Sequence, residues 1–368
     1  MIDKILKKYD IKGNNIECNR CGSGNINKTY VLIVDDKKYL VQKINNKVFC
    51  EPYKLMKNIE GVTEHLKGKI DSKHKVLELV KTKDNKSLCY IINESLEREY
   101  YRIYEFIDNA VSYDCSKDKE IVYNTGRAFG NFQKLLEDYP MDNLEETIKD
   151  FHNTKKRYKR FINDIRIDSA SRVSEVESEI EFIKSREECY GILVDGLKEG
   201  ILPYRVTHND TKVNNVMMDK ETNDYLAVID LDTVMPGTCL FDYGDGIRST
   251  SSSASENETD LSKVYLDMEL FKSYTDGYMS QMASSLTKNE VELMGESIRI
   301  ITLELAMRFL NDYINGDTYF KIDYDKHNLD RARNQIKLVS DIESHMEEID
   351  KYISESYNKN LRGDKCVN

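Results

Sequence analysis

The first hundred residues alternate between short β-branched or aromatic runs and polar turns. The runs 29–34 (TYVLIV) and 39–44 (YLVQKI), joined by Asp35-Asp36-Lys37-Lys38, predict a hairpin with a polar turn. A helix is predicted next, because Pro52 can open it and Leu55, Met56, Ile59, Val62 and Leu66 follow at three- and four-residue steps. Strands are predicted again at 76–80 (VLELV), 88–92 (LCYII) and 101–107 (YRIYEFI). From about residue 115 the period becomes helical: Ile121, Val122, Thr125, Ala128, Phe129, Phe132, Leu135 and Leu136 form one apolar stripe that stops before Pro140. Further helices are predicted at 144–163, 174–198, 261–285, 288–315 and 328–357, and the only later strand-like region is 204–232. The small polar stretch 249–260 (STSSSASENETD) reads as a flexible loop, with a functional lid as the alternative, and 355–368 as a frayed tail.

A β-rich front and a helical back predict an α+β fold with two lobes and a cleft between them, divided at about 107/108. The length of 368 residues excludes a small binding module, and 40% hydrophobic with 32% charged residues excludes whole-chain disorder. A net charge of −11 argues against nucleic acid or an anionic membrane as partner. The start, MIDKILKKYD, lacks a secretory apolar core, and no apolar run approaches the roughly 20 residues that span a bilayer, so a cytoplasmic location is expected. The eight cysteines are scattered and read as free thiols; Cys18 and Cys21 have C-x-x-C spacing, but no second pair completes a zinc site. Nothing in the sequence sets an oligomeric state.

The chemistry concentrates at 208–215, His208-Asn209-Asp210-Thr211-Lys212-Val213-Asn214-Asn215, followed by Asp230 in VIDLD. Asp210 and Asn215 have the five-residue spacing of a kinase catalytic loop, in which an aspartate lies beside the acceptor hydroxyl and an asparagine at magnesium. Phosphoryl transfer needs a base or orienter, oxygen ligands for Mg²⁺, and positive charge on the moving group. Asp210, then Asn215 with Asp230, then Lys212 can supply these in turn, with Asp232 as an outer-shell or alternative ligand. An isolated H-x-D is common, and loop aspartates usually bond their own backbone; the second carboxylate after an apolar strand gives the pattern its weight. His208 reads as a structural residue.

The front lobe should then hold ATP. Gly22 and Gly24, just before the hairpin, bring flexible backbone to phosphates, although such turns open many strands. Lys43 sits where a kinase places a cation for the α- and β-phosphates, with Glu64 as its partner and Glu60 as the rival. The segment 104–108, with Glu105, Phe106 and Ile107, reads as the hinge that holds adenine.

These residues resemble a known family. THNDTKVNN and VIDLDTVMPGTCLFDYGDGIR, with GNINKTY, YLVQKIN, YRIYEFIDNAVSYD, GRAFGNFQKLL, AMRFLNDYINGDTYF and HNLDRARNQIKLV, are similar to the N-acetylhexosamine 1-kinases, a branch of the aminoglycoside phosphotransferase and choline kinase group. The resemblance implies a protein-kinase-like fold and transfer of the γ-phosphoryl of ATP to the anomeric hydroxyl of N-acetylglucosamine or N-acetylgalactosamine. It implies Asp210 as base, Asn215 and Asp230 as Mg²⁺ ligands, and Lys212, Arg308 and Tyr319 as sugar contacts, with Asn25 and Asp232 also on the substrate side. Asn25 stands where relatives can carry histidine, and Lys43 where a relative can carry glutamine. Two alternatives remain open: another small-molecule kinase, for an aminoglycoside, choline, homoserine or methylthioribose, and a catalytically silent sugar-binding protein.

Overall fold

The computed structural model describes residues 2–21 and 26–364, so the expected contacts Gly22, Gly24 and Asn25 lie outside the described residues. A short helix α1 (Ile2–Leu6) precedes a five-stranded antiparallel sheet of β1 (Ile16–Cys21), β2 (Lys28–Val34), β3 (Lys37–Ile44), β4 (Cys89–Ile92) and β5 (Arg98–Glu105), ordered β1-β2-β3-β5-β4. The β2–β3 turn is tighter than the sequence suggests: Val34 pairs with Lys37, and Asp35 takes φ 53, the left-handed backbone a two-residue turn requires. Alternation sorts the sheet's side chains. Tyr39, Val41, Tyr101 and Ile103 bury toward α1 and Tyr9, whereas Ile44 and Tyr104 pack with the Leu55, Met56, Ile59, Val62 and Leu66 face of α2 (Pro52–Lys67).

The expected strand at 76–80 does not form. β4 already occupies the edge of β5 at residues 98–101, which leaves the segment a single bridge, Leu79 to Tyr104, closed by Val80 N to Ile103 O at 2.9 Å and Glu105 N to Glu78 O at 2.9 Å.

The back of the chain holds β6 (Ala110–Val111), α3 (Lys119–Leu135), α4 (Thr154–Ile167), α5 (Glu177–Lys184), α6 (Ile192–Lys198), β7 (Arg205–Thr207), β8 (Val216–Asp219), β9 (Tyr225–Val228), β10 (Met235–Gly237), α7 (Cys239–Ser251), α8 (Met268–Met282), α9 (Lys288–Glu292), α10 (Met294–Ile314), α11 (His327–Ser344) and α12 (Met346–Asp364). Several expected helices are shorter or broken. The 144–163 helix starts only at Thr154, where Asn153 accepts from Lys156 N as an N-cap. The 174–198 helix breaks between α5 and α6, and the 328–357 helix breaks at His345. The tail is helical to Asp364.

The expected loop 249–260 is also corrected. Its first residues end α7 buried, and the rest is pinned to α11: Asn334 Nδ2 donates to Ser255 O (3.1 Å) and Glu258 O (3.0 Å), and Arg331 Nε to Asn257 Oδ1 (2.8 Å). Partners from distant sequence order what composition alone leaves loose.

Two small sheets, β6-β8-β9 and β7-β10, set the loops between the lobes, with Ile229 N bonded to Asn215 O at 2.9 Å. Beneath them α3 packs on α8 at near backbone contact. A Cβ at Gly126 or Gly277 would collide with Tyr274 O or Tyr123 O, so glycine is required at both. No helix among the described residues is long and apolar enough to cross a membrane.

Candidate active site

The loop after β7 is fixed by an acid beneath it. Asp242, buried on α7, accepts from His208 N (2.8 Å) and Asn209 N (2.7 Å), and from Gln133 Nε2 of α3 (2.6 Å). Burial raises the Asp242 pKa in spite of these donors. Asn209 takes φ 64, which turns two consecutive amides toward one carboxylate. His208 is fully buried, its Nε2 2.9 Å from Ile229 O and its ring edge-on to Phe129 and Phe132, which is the structural part expected of it. Further along, Thr211 N donates to Asp245 Oδ2 at 2.9 Å.

So held, the loop presents Asp210. Lys212 Nζ lies 2.8 Å from Asp210 Oδ1, and Asn215 Nδ2 donates to Asp210 Oδ2 at 2.9 Å and to its carbonyl at 2.8 Å. Burial in the cleft opposes ionisation of Asp210, but Lys212, His208 and Asn215 outweigh it and lower the pKa. Lys212 is raised in turn, chiefly by the Asp210 charge. Asp230 lies two residues past β9 at φ 57, a left-handed turn that takes the chain off the strand. Although its side chain is open to solvent, the protein mass around it and the charges of Asp232 and Asp210 push its carboxyl up to about 7. Asp210, Asn215 and Asp230 are therefore brought together as the sequence spacing required.

Asp232 is not. Expected as an outer-shell ligand or substrate contact, it is buried and spent on the front lobe, with Arg102 Nη1 2.5 Å from Oδ1 and Asn27 Nδ2 donating to Oδ2. Arg102 is fully buried on β5 and gives two more hydrogen bonds to Gln42 Oε1, at 2.9 and 2.7 Å.

Lys43 is corrected too. It pairs with Glu99 Oε1 at 2.6 Å, while Glu64 is exposed on α2 and Glu60 binds Lys81. The cause is strand parity: Lys43 shares the sheet face of Tyr39 and Val41, away from α2, and Gln42 takes the inner face opposite Arg102. At the hinge, the Glu105 side chain binds Lys37 at 3.1 Å and its amide binds Glu78 O, while the amides of Phe106 and Ile107 take no backbone partner among the described residues.

Arg308 and Tyr319, the expected sugar contacts, lie in the helical part. Arg308 on α10 has no acidic partner among the described residues; its guanidinium lies over Phe151 (5.8 Å) and Phe320 (5.4 Å). Tyr319, 64% exposed, packs edge-on to Phe320. Arg157 lies 3.1 Å from the buried Glu304, which also binds His152; burial opposes ionisation of Glu304, but His152 and Arg157 bring its pKa down to about 2. Arg331 continues this basic wall over Phe309, which packs on Phe320.

Residues 17–264 match the phosphotransferase enzyme family. The chain belongs to that family. Similar solved structures include a microcompartment-associated aminopropanol kinase (14% identity, 95% of this chain and 97% of that one, TM-score 0.65) and a spectinomycin phosphotransferase in complex with ADP and spectinomycin (13%, 94% and 97%, 0.58). Choline kinase from Cryptosporidium parvum Iowa II is similar over 100% of this chain and 95% of that one (13%, 0.52). At such identities the likeness is one of fold, and the fold is the kinase-like α+β arrangement expected from the sequence.

In this phosphotransferase, the groups that sequence reading missed are Arg102, Gln42 and Asn27 at Asp232, and Arg248 with Glu256 beside the catalytic loop. Arg102 had a visible sign, an arginine inside the aromatic run YYRIYEFI, where burial without a partner is costly. Glu256 had none, because its neighbours are small and polar.

Proposed function

We propose that this protein is a small-molecule kinase that moves the γ-phosphoryl group of ATP to the anomeric hydroxyl of an N-acetylhexosamine, giving ADP and the sugar 1-phosphate. The carrying observation is the Asp210 carboxylate, kept ionised by Lys212 and oriented by Asn215 beside Asp230. A loose phosphoryl-transfer transition state depends on positioning more than on a strong base. Asp210, though of lowered basicity, meets that need, because it orients the acceptor hydroxyl and takes its proton as the P–O bond forms. Lys212 offsets charge on the phosphoryl oxygens.

Asn215 and Asp230 would hold Mg²⁺, whose chemistry when bound is to neutralise phosphate oxygens. The donors fit: they are hard oxygens, and the mutual repulsion at Asp230 is what a cation relieves. Residues 1–107 would carry the nucleotide, with the backbone at Glu105 and Ile107 against adenine, and residues 108–368 the catalytic and acceptor groups.

The acceptor wall supports a neutral polyhydroxyl substrate. Arg157 and Arg308 both reach Phe151, and Arg331 lies over Phe309 beside Phe320, so guanidinium donors and aromatic supports stand together, as several hydroxyls of one acceptor would require. Arg308 and Tyr319, the implied sugar contacts, share Phe320 as a common support. The test is an acceptor panel with Mg·ATP followed by phosphorus NMR. An anomeric phosphate from N-acetylglucosamine or N-acetylgalactosamine is expected; phosphorylation of amino alcohols alone would refute the sugar assignment.

A further inference from the structure

The segment after α7 contributes an acid to the same site. Arg248, buried at the end of α7, joins two carboxylates: its Nη2 lies 2.8 Å from Asp245 Oδ1 and its Nη1 2.5 Å from Glu256 Oε1. Asp245 holds the Thr211 amide through its other oxygen, so Glu256, Arg248, Asp245 and Thr211 form one continuous chain ending beside Asp210. Glu256 does not move freely. Its neighbours Ser255, Asn257 and Glu258 are all tied to Asn334 or Arg331 of α11. Its second oxygen, Oε2, accepts no hydrogen bond from the described residues, and its side chain is 38% exposed. Burial opposes its ionisation, but the charges of Arg248, Lys212 and Arg331 outweigh this, so Glu256 stands ionised between the catalytic loop and the basic wall.

We infer that Glu256 is a specificity-determining residue, whose free carboxylate oxygen accepts a hydrogen bond from an acceptor hydroxyl other than the one phosphorylated. A rigid ionised acceptor, held on its inner oxygen by Arg248, offers its outer oxygen to a hydroxyl donor and discriminates strongly against an acceptor lacking that hydroxyl. The inference deepens the proposed function and rests on it for the class of acceptor, not for the placement of the acid.

The test uses Glu256→Gln in the full chain. The amide oxygen can keep Arg248 while the free oxygen becomes an N–H₂ donor, so the acceptor contact is lost with the fold retained. The acceptor KM should rise roughly 10- to 100-fold, the loss of a hydrogen bond to a charged group, with the KM for ATP and the thermal unfolding midpoint near wild type. Among acceptors each missing one hydroxyl, one should be used equally by wild type and variant, which identifies the bonded group. Glu256→Asp, with its carboxylate one methylene further back, should recover only part of the affinity. Wild-type turnover of N-acetylhexosamines tests the sugar assignment alone. The ratio of variant to wild-type KM, measured with whichever acceptor of the panel the wild type uses best, tests Glu256. An unchanged acceptor KM in a stable Glu256→Gln protein overturns the inference, and so does a KM for ATP that rises in step.

Discussion

Arg102 and Asp232 meet across the cleft, Nη1 2.5 Å from Oδ1, both buried, one on the last strand of the front sheet and the other just past the end of β9. The pair ties the front sheet to the segment that follows β9 and places a buried, paired cation on the sheet face opposite Lys43. Arg102→Met should leave a buried, uncompensated carboxylate and cost about 3–5 kcal/mol in urea unfolding. Arg102→Met combined with Asp232→Leu should recover most of that stability, yet the KM for ATP should stay raised. Full activity in the double variant would show the pair to be structural alone.

Asp210→Asn should reduce turnover by roughly 10²- to 10⁴-fold with nucleotide affinity nearly unchanged. The sequence has no tryptophan, so affinity is best followed by calorimetry or a fluorescent nucleotide. A loss confined to nucleotide affinity would move Asp210 out of the transfer step.

The raised Asp230 carboxyl gives a pH dependence of definite sign. Between its ordinary value and about 7 the folded protein binds a proton that the unfolded chain releases, so this group's contribution to stability falls as pH rises through that window. Mg²⁺ binds the ionised form, so its stabilising effect should grow from pH 5 to pH 8, read as the shift in thermal midpoint on adding the metal. Asp230→Asn should flatten both trends. A metal shift independent of pH would exclude Asp230 as a ligand.

Gly126→Ala or Gly277→Ala should destabilise by about 1–3 kcal/mol or more, because each adds a methyl group against the opposing helix backbone. Denaturant midpoints report this directly. Gly200 has nothing within 4 Å of an added Cβ, so Gly200→Asn, which tolerates its φ of 72, serves as the neutral control.

The sequence was most legible where chemistry demands fixed residue types at fixed spacing. Asp210, Asn215 and Asp230 could be read because their separation survives any packing detail. Lys43 could not be placed, since one residue of strand parity decides which sheet face it takes, and Gln42 holds the inner one. The strand Ile16–Cys21 escaped notice because it lies at the sheet edge with its side chains exposed or half-buried, so no alternating pattern marks it. Helix breaks near 185–191 and His345 were hidden by apolar spacing that runs on through them. The 249–260 segment looked mobile because its order comes from Asn334 and Arg331, far away in sequence. Tyr319 and Arg308 are expected as sugar contacts only through family likeness; Arg308 also stands out as an arginine inside the apolar run ELAMRFL, whereas Tyr319 carries no local pattern of its own.

Asp242 clamps two successive amides of the catalytic loop, and it is itself gripped by Gln133, which in turn receives the Tyr278 hydroxyl at 2.5 Å. Moving this loop would strip the buried Asp242 carboxylate of its amide donors, a penalty that opposes any rearrangement around Asp210.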